Sequence, residues 1–204
     1  MTFGKRLCDL ILATALCLLL AVPFSLLVLY LLWAEGRPVF YVAERMRAPG
    51  QPFALWKLRT MSVVPPEAGV SGGNKASRIT RTGRFLRRSR LDEVPQLWNV
   101  LKGDMSFVGP RPPLRLYVER FPDLYAQVLR SRPGVTGLAT LVYHRHEEKL
   151  LARCRTAMET DAVYSRCCVP RKAQIDLIYQ RRRSLGMDFG LMALTLARAL
   201  KLSR

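Results

Sequence analysis

The sequence predicts a mainly α-helical chain with a few short strands, carried on an apolar N-terminal segment suited to lipid. Three observations predict it. An uncharged run of 25 residues extends from Leu10 to Ala34, apolar residues recur at helical spacing around Trp98, and two short apolar runs between 37 and 61 are separated by a turn.

The apolar run exceeds the roughly 20 residues that a spanning helix needs. A signal peptide is the competing reading, because Lys5 and Arg6 resemble its basic start. Its apolar core would be only about 7 to 15 residues long. Here the run is longer and ends in Tyr30 and Trp33, which suit a membrane interface. Pro23 stands at its middle, removes one helical hydrogen bond and predicts a kink or break. Basic flanks on both sides, Lys5 and Arg6 before it and Arg37, Arg45 and Arg47 after it, suit a helix that enters and leaves on one face.

Residues 37 to 61 read as two strands or extended segments around an Ala48-Pro49-Gly50 turn. Lys57 and Arg59, two apart, would then share a face. Residues 62 to 77 are rich in Pro, Gly and Ser and read as a loop, with a lid as the sharper alternative. From Arg78 to Arg90 an arginine recurs at every third position. Val94, Leu97, Trp98 and Leu101 then fall on one helical face that stops near Gly103. Asp92, Glu93 and Pro95 belong in or near the first turn of that helix, and Trp56 and Trp98 in the core. The segments 103 to 113 and 132 to 137 are turn-rich and offer backbone amides for phosphates. Residues 146 to 183 read as helical with an interruption at Pro170, and 189 to 200 as an apolar helix too short to span.

Thirty-three Lys and Arg against fifteen Asp and Glu leave a formal charge of +18, which attracts phosphates of any origin. Half of the residues are hydrophobic, which excludes a disordered basic tail. The five cysteines form no CxxC pair and no metal-ligand spacing, and read as reduced thiols facing the cytoplasm. His144 and His146 lack the further ligands of a metal site and read as surface residues. No Walker loop, GxGxxG or nucleophile elbow is present.

The pair Asp92-Glu93 stands directly after the arginine run. Such acids are ordinary capping residues at a helix start. They also supply what phosphoryl transfer requires, a nucleophile beside charge-stabilising cations. Nearby arginines and a helix N-terminus would hold the Asp92 carboxyl below its usual range.

The words KRLCDLILA, GRPVFYVAERM, GQPFALWKLRTM, RITRTGRFLRRSRLDEVPQLWNVLKGDMSFVGPRPP and RPGVTGLA together resemble the motif series of the bacterial sugar transferase family, the monotopic phosphoglycosyl transferases. That resemblance implies a re-entrant membrane helix over 1–36, broken at Pro23, and a cytoplasmic catalytic domain over 37–204 with further helices at the interface. It implies transfer of a sugar 1-phosphate from a UDP-sugar to a polyprenyl phosphate, with release of UMP and with Mg2+, as the initiating step of glycoconjugate assembly at the bacterial inner membrane. By the same resemblance Asp92 is the covalent nucleophile and candidate Mg2+ ligand, and Glu93 its catalytic partner. It also links Arg87 and Arg111 to substrate phosphate, and Lys57 and Arg59 are expected to join them there. Two positions depart from the family's words: Arg90 stands where Ser is common, and Val22 precedes Pro23 in place of Ser. The stretch from His144 to Arg171 is not reached by the resemblance.

The rival classes are a membrane-anchored nucleic-acid binder, which would need no Asp92, and an inactive scaffold, which would need no intact Asp92, Glu93, Arg87 and Arg111. The acidic pair inside the arginine cluster speaks against both, so no nucleic acid is expected as partner. The sugar, the pathway and the oligomeric state, a homo-oligomer included, stay open.

Overall fold

The computed structural model describes residues 1–62 and 78–203, so the loop or lid expected at 62 to 77 lies outside the described residues except for Ser62. The chain is mainly helical with short strands, as its sequence predicts. The apolar run lies within one helix, α1 (Phe3–Glu35), capped by the Thr2 side chain accepting from the Lys5 amide. It ends where Gly36 adopts φ 69° and returns its amide to the Leu32 carbonyl.

At Pro23, where the sequence predicts a kink or break, α1 stays helical on both sides of the ring. The Ser25 hydroxyl donates to the Ala21 carbonyl at 2.7 Å, giving the turn around the ring a local side-chain hydrogen bond. Most of the apolar surface of α1 remains unburied, Leu18, Leu19, Val22, Leu26, Leu29 and Trp33 among it.

Both ends of α1 nevertheless pack on the rest of the molecule. Near its start, Lys5 donates to Asp188 Oδ2 at 2.6 Å and approaches the Tyr179 hydroxyl at 3.3 Å. Arg6 donates to the carbonyls of Val100 and Leu101 at 2.6 and 2.8 Å, and Asp9 accepts from the Phe107 amide at 3.3 Å. Ala13 joins a core of Phe53, Leu55, Val100 and Met105. Near its end, Leu31 packs with Val39, Leu58 and Leu86, flanked by Phe24, Leu27 and Val28.

Strands β1 (Phe40–Ala48) and β2 (Gln51–Leu58) form an antiparallel hairpin, with Phe40 opposite Leu58 and Gly50 at φ 70° in the turn. Helix α2 (Arg81–Ser89) follows, then a 3-10 turn (Leu91–Glu93) and α3 (Gln96–Lys102). Asn99 on α3 is fully buried and serves as a clip to β2. Its amide donates to the Ala54 carbonyl at 2.7 Å and its oxygen accepts from the Trp56 amide at 3.2 Å. Trp98, expected in the core, is instead 55% exposed, because the face of α3 that packs inward carries Asn99 and Val100.

Strands β3 (Ser106–Val108) and β4 (Gly134–Thr136) pair in parallel across two short helices, α4 (Arg115–Arg120) and α5 (Pro122–Val128). This pairing corrects the expectation of free amides, since the amides of Ser106, Gly109 and Gly134 donate to the carbonyls of Pro133, Thr136 and Pro110. Helix α6 (Leu138–Leu151), α7 (Ala157–Val163), a π-helical turn (Tyr164–Cys168), α8 (Val169–Arg182) and α9 (Leu185–Ser203) complete the chain. Pro170 stands in the first turn of α8, directly after the π-helical turn.

Breaking the Lys5–Asp188 pair tests what holds α1. Asp188→Ala leaves a buried ammonium without its acid and is expected to destabilise the protein by about 3–5 kcal/mol. Lys5→Met combined with Asp188→Leu removes both charges and should unfold close to the wild type. The midpoint of thermal unfolding in detergent micelles measures both.

Candidate active site

The site is built around a sharp turn between α2 and α3. Thr80 caps α2, its hydroxyl accepting from the Gly83 amide at 2.8 Å. Gly83 lies so near the strand exit that a Cβ there would fall 2.1 Å from the Thr60 carbonyl oxygen, which only glycine avoids. Arg87 donates through Nε to the Thr60 hydroxyl at 2.8 Å, fixing the last turn of α2 on the end of the hairpin. Arg90 then takes the left-handed conformation, φ 60° and ψ 15°, and redirects the chain into the 3-10 turn. Among the described residues it is the one non-glycine with positive φ. Such backbone costs of order 1–3 kcal/mol and persists where its surroundings demand it.

That turn carries Asp92 and Glu93. They stand one turn ahead of α3 rather than in its first turn, since Pro95 occupies the cap position of the helix. The two carboxylates meet different environments. Glu93 Oε1 pairs with Lys57 Nζ at 2.9 Å and Oε2 with Arg90 at 3.3 Å. Burial pushes the Glu93 carboxyl up, but Lys57, Arg111 and Arg90 outweigh it and hold the group below its ordinary range. Asp92 is 8% exposed, with Lys57 and Arg87 as charged neighbours. Burial, followed by the adjacent Glu93 charge, pushes its carboxyl up against the pull of Lys57 and Arg87. The depressed Asp92 expected from the arginine run is thereby corrected: desolvation exceeds the attraction of the cations.

The segment Pro110–Pro113 brings the last cation. The Pro110 carbonyl accepts from the Gly134 amide at 2.8 Å and the Pro113 carbonyl from the Met46 amide at 3.0 Å, so Arg111 projects from backbone held at both ends. Its charge acts on Glu93, on Arg45 and on Lys172. The structure thus brings together Asp92, Glu93, Lys57, Arg87 and Arg111. It does not bring Arg59 to them. The Arg59 guanidinium donates to the carbonyls of Glu35 and Gly36 at 2.8 and 3.1 Å, closing the end of α1. Strand β2 ends at Leu58, so the face expected to hold Lys57 and Arg59 together stops between them.

Sequence reasoning missed Arg90 as a partner of Glu93. The three-residue separation was legible, but the left-handed turn that directs the side chain was not. It also missed Thr60, for which no sequence signal exists. His144 pairs with Glu148 at 3.4 Å on an exposed face, and among the described residues no cluster of three or more metal-ligating side chains occurs.

Asp92 and Glu93 would serve a divalent cation of the magnesium kind, which is held by one or two carboxylates together with substrate phosphates. Glu93 is committed to two cations, so Asp92 is the carboxylate that could hold one.

The model of the bacterial sugar transferase family matches residues 1–202. Over 166 residues the chain is 35% identical to the UDP-glucose:undecaprenyl-phosphate glucose-1-phosphate transferase of Escherichia coli (strain K12), which covers 79% of this chain and 36% of that protein. Over 123 residues it is 42% identical to a putative undecaprenyl-phosphate N-acetylgalactosaminyl 1-phosphate transferase of Bacillus subtilis (strain 168), covering 58% and 67%. A further sugar transferase of that organism, uncharacterised, is 34% identical over 201 residues, covering 96% and 87%. The chain therefore spans about a third of the first relative and about two thirds of the second.

Replacing Lys57 by Met tests the ionic clasp on Glu93. A carboxyl held below its ordinary value of 4.5 contributes stability above that pH and loses it as the pH falls through the folded-state value. The unfolding midpoint of Lys57→Met should therefore lie below the wild type at pH 7, with the gap closing as the solution is acidified below 4.5. Arg90→Gly should cost less, because relief of the left-handed turn, about 1–2 kcal/mol, offsets a half-exposed ion pair.

Proposed function

The chain belongs to the bacterial sugar transferase family, and from that premise we propose that it transfers a sugar 1-phosphate from a UDP-sugar to a polyprenyl phosphate by way of Asp92. The observation that carries the proposal is the pair of unequal carboxylates. Asp92 is buried, with cations near it that do not bind it in an ion pair, while Glu93 is held by Lys57 and Arg90.

In the first displacement an Asp92 carboxylate oxygen attacks the phosphorus that bears the sugar. The bond from that phosphorus to the bridging oxygen breaks, and the oxygen leaves as part of UMP. In the second, an oxygen of the polyprenyl phosphate attacks the same phosphorus and the bond to Asp92 breaks, so the carboxylate returns. Both attacking groups are already anionic, and neither step requires a proton to be removed. Arg87 and Arg111 would stabilise charge on the phosphate oxygens, and the planar guanidinium suits two oxygens at once. Glu93 keeps Lys57 and Arg90 oriented beside the nucleophile. Magnesium ion, held by Asp92 and substrate phosphate oxygens, would neutralise charge on the diphosphate.

A desolvated Asp92 is raised in energy as an anion, which favours its attack on phosphorus once cations and substrate close around it. The lipid acceptor is reached along α1, whose apolar side is open. Between Lys5 and Leu31 a straight helix would rise about 39 Å, more than the ~30 Å of a bilayer core. Both of those residues are buried against the rest of the protein. That arrangement supports a helix that dips into one leaflet, with Met1 and the acidic pair on the same, cytoplasmic, side of the inner membrane. Product on the lipid would begin a glycoconjugate chain.

Incubation with a UDP-sugar and magnesium but no lipid should leave a phosphosugar on Asp92, read by intact-protein mass spectrometry. Asp92→Asn should lose the adduct together with turnover, by about 10³-fold or more. Unchanged turnover would remove Asp92 from the mechanism.

The membrane side is tested at Gly4, where an added Cβ meets nothing within 4 Å. Gly4→Cys in a chain cleared of its five native cysteines should resist an impermeant thiol reagent applied to whole spheroplasts and react after lysis. Strong reaction before lysis would mean a crossing helix.

A further inference from the structure

Behind Arg111 a cavity of about 520 Å³ opens, within the ~300–1,000 Å³ of small-molecule sites. Pro110–Pro113 forms its floor, Tyr117 of α4 and Tyr125 of α5 one wall, and Thr160 and Asp161 of α7 with Tyr164 of the π-helical turn another. Lys172 and Asp176 of α8 line the remaining side. We infer that this cavity receives the sugar ring of the donor substrate and that α7, the π-helical turn and α8 set which sugar is accepted. The inference rests on the transferase reading above.

Arg111 belongs to both places. It lines the cavity and it is a charged neighbour of Glu93. A phosphate engaged by Arg111 therefore directs its substituent into the cavity. Two chemistries could hang from a nucleotide-sugar diphosphate at that point, a sugar or a nucleoside, and the lining distinguishes them. A base needs an open aromatic face. Tyr117 and Tyr164 instead lie against each other with centroids 4.9 Å apart, and Tyr125 packs against Met46, Val118 and Leu129. The Arg120 guanidinium stands 5.8 Å from the Tyr117 ring and the Lys172 ammonium 5.3 Å from that of Tyr164.

What the cavity does offer is hydrogen bonding to hydroxyls. Asp176 is buried, accepts from the Ala139 amide, and has its carboxyl pushed up to about 7 by burial against the pull of Lys172. A carboxyl poised so near neutrality accepts from one hydroxyl and, protonated, donates to another. Asp161 is engaged by Tyr117 at 2.9 Å and Arg120 at 2.8 Å, which holds that wall rigid. Asp161 and Asp176 stand among the cations Arg45, Arg111 and Lys172, a mixed lining that supplies both acceptors and donors to a polyhydroxylated ring. The wall formed by α7 and the π-helical turn lies outside the segments that carry Asp92, Glu93, Lys57 and Arg111. Sugar selection and phosphoryl chemistry are then assigned to different parts of the chain.

The test uses the full chain in detergent with UDP-glucose, UDP-galactose and their N-acetylated 2-amino counterparts, reading UMP release, and UMP as competing product. Thr160→Trp, at a half-buried position, narrows the cavity, and Asp176→Asn keeps its shape while changing the hydrogen-bonding group. Either change should raise KM or reorder the kcat/KM values of the four donors by about 10-fold or more, with inhibition by UMP within about twofold of the wild type. Unchanged preference in both variants would overturn the inference while wild-type turnover upheld the transferase. UMP inhibition weakening in step with KM would place the nucleoside in the cavity and overturn it equally. Absence of turnover in the wild type with every donor would remove the transferase reading, and this inference with it.

Discussion

The buried ion pair between Lys5 and Asp188 is the constraint on which the arrangement depends. An ammonium at the start of a helix with an uncharged run of 25 residues has no water to return to once it is packed against α9, and it must keep its acid. Tyr179 completes the set, its hydroxyl 2.6 Å from the second oxygen of Asp188. With that anchor made, Arg6 reaches the carbonyl end of α3 and Asp9 the amide of Phe107. The far end of α1 is closed by Arg59 on the carbonyls of Glu35 and Gly36, and by Leu31 against Leu86 of α2. The acidic turn lies between α2 and α3, and each of those helices is tied to α1. A helix suited to lipid thereby positions the residues suited to phosphate.

Within that frame the neighbouring carboxylates acquire different characters from a difference of one residue. Glu93 points to Lys57 and Arg90, and three cations overcome the cost of its burial. Asp92 is buried beside the charge of Glu93, and two cations do not compensate for that. Arg90 is responsible for part of this, since its left-handed backbone both ends α2 and aims its guanidinium at Glu93. A serine at that position would cap the following turn but would supply no cation.

Much of the fold was legible in the sequence because it rests on local signals. The apolar run, the hairpin about Gly50, the stop at Gly103 and the change at Pro170 each depend on residues adjacent in the chain. The errors came where a distant neighbour decided. Helical spacing puts Trp98 in the core, but Asn99 is the residue that β2 needs. The turn-rich composition of 103 to 113 and 132 to 137 predicts free amides, yet amides of each segment donate to carbonyls of the other as β3 and β4 pair.

By itself the sequence determined the membrane-suited helix, the mainly helical fold and the family, because periodicity, length and motif words are properties of neighbouring residues. It also marked Asp92, Glu93, Lys57, Arg87 and Arg111 as candidates. Only the tertiary structure decided that Arg59 serves the end of α1 while Lys57 serves Glu93, and that Asp92 is raised rather than lowered. The physical reason is that desolvation and ion pairing depend on three-dimensional distance, and Lys57 and Glu93 are 36 positions apart in the chain yet 2.9 Å apart in space.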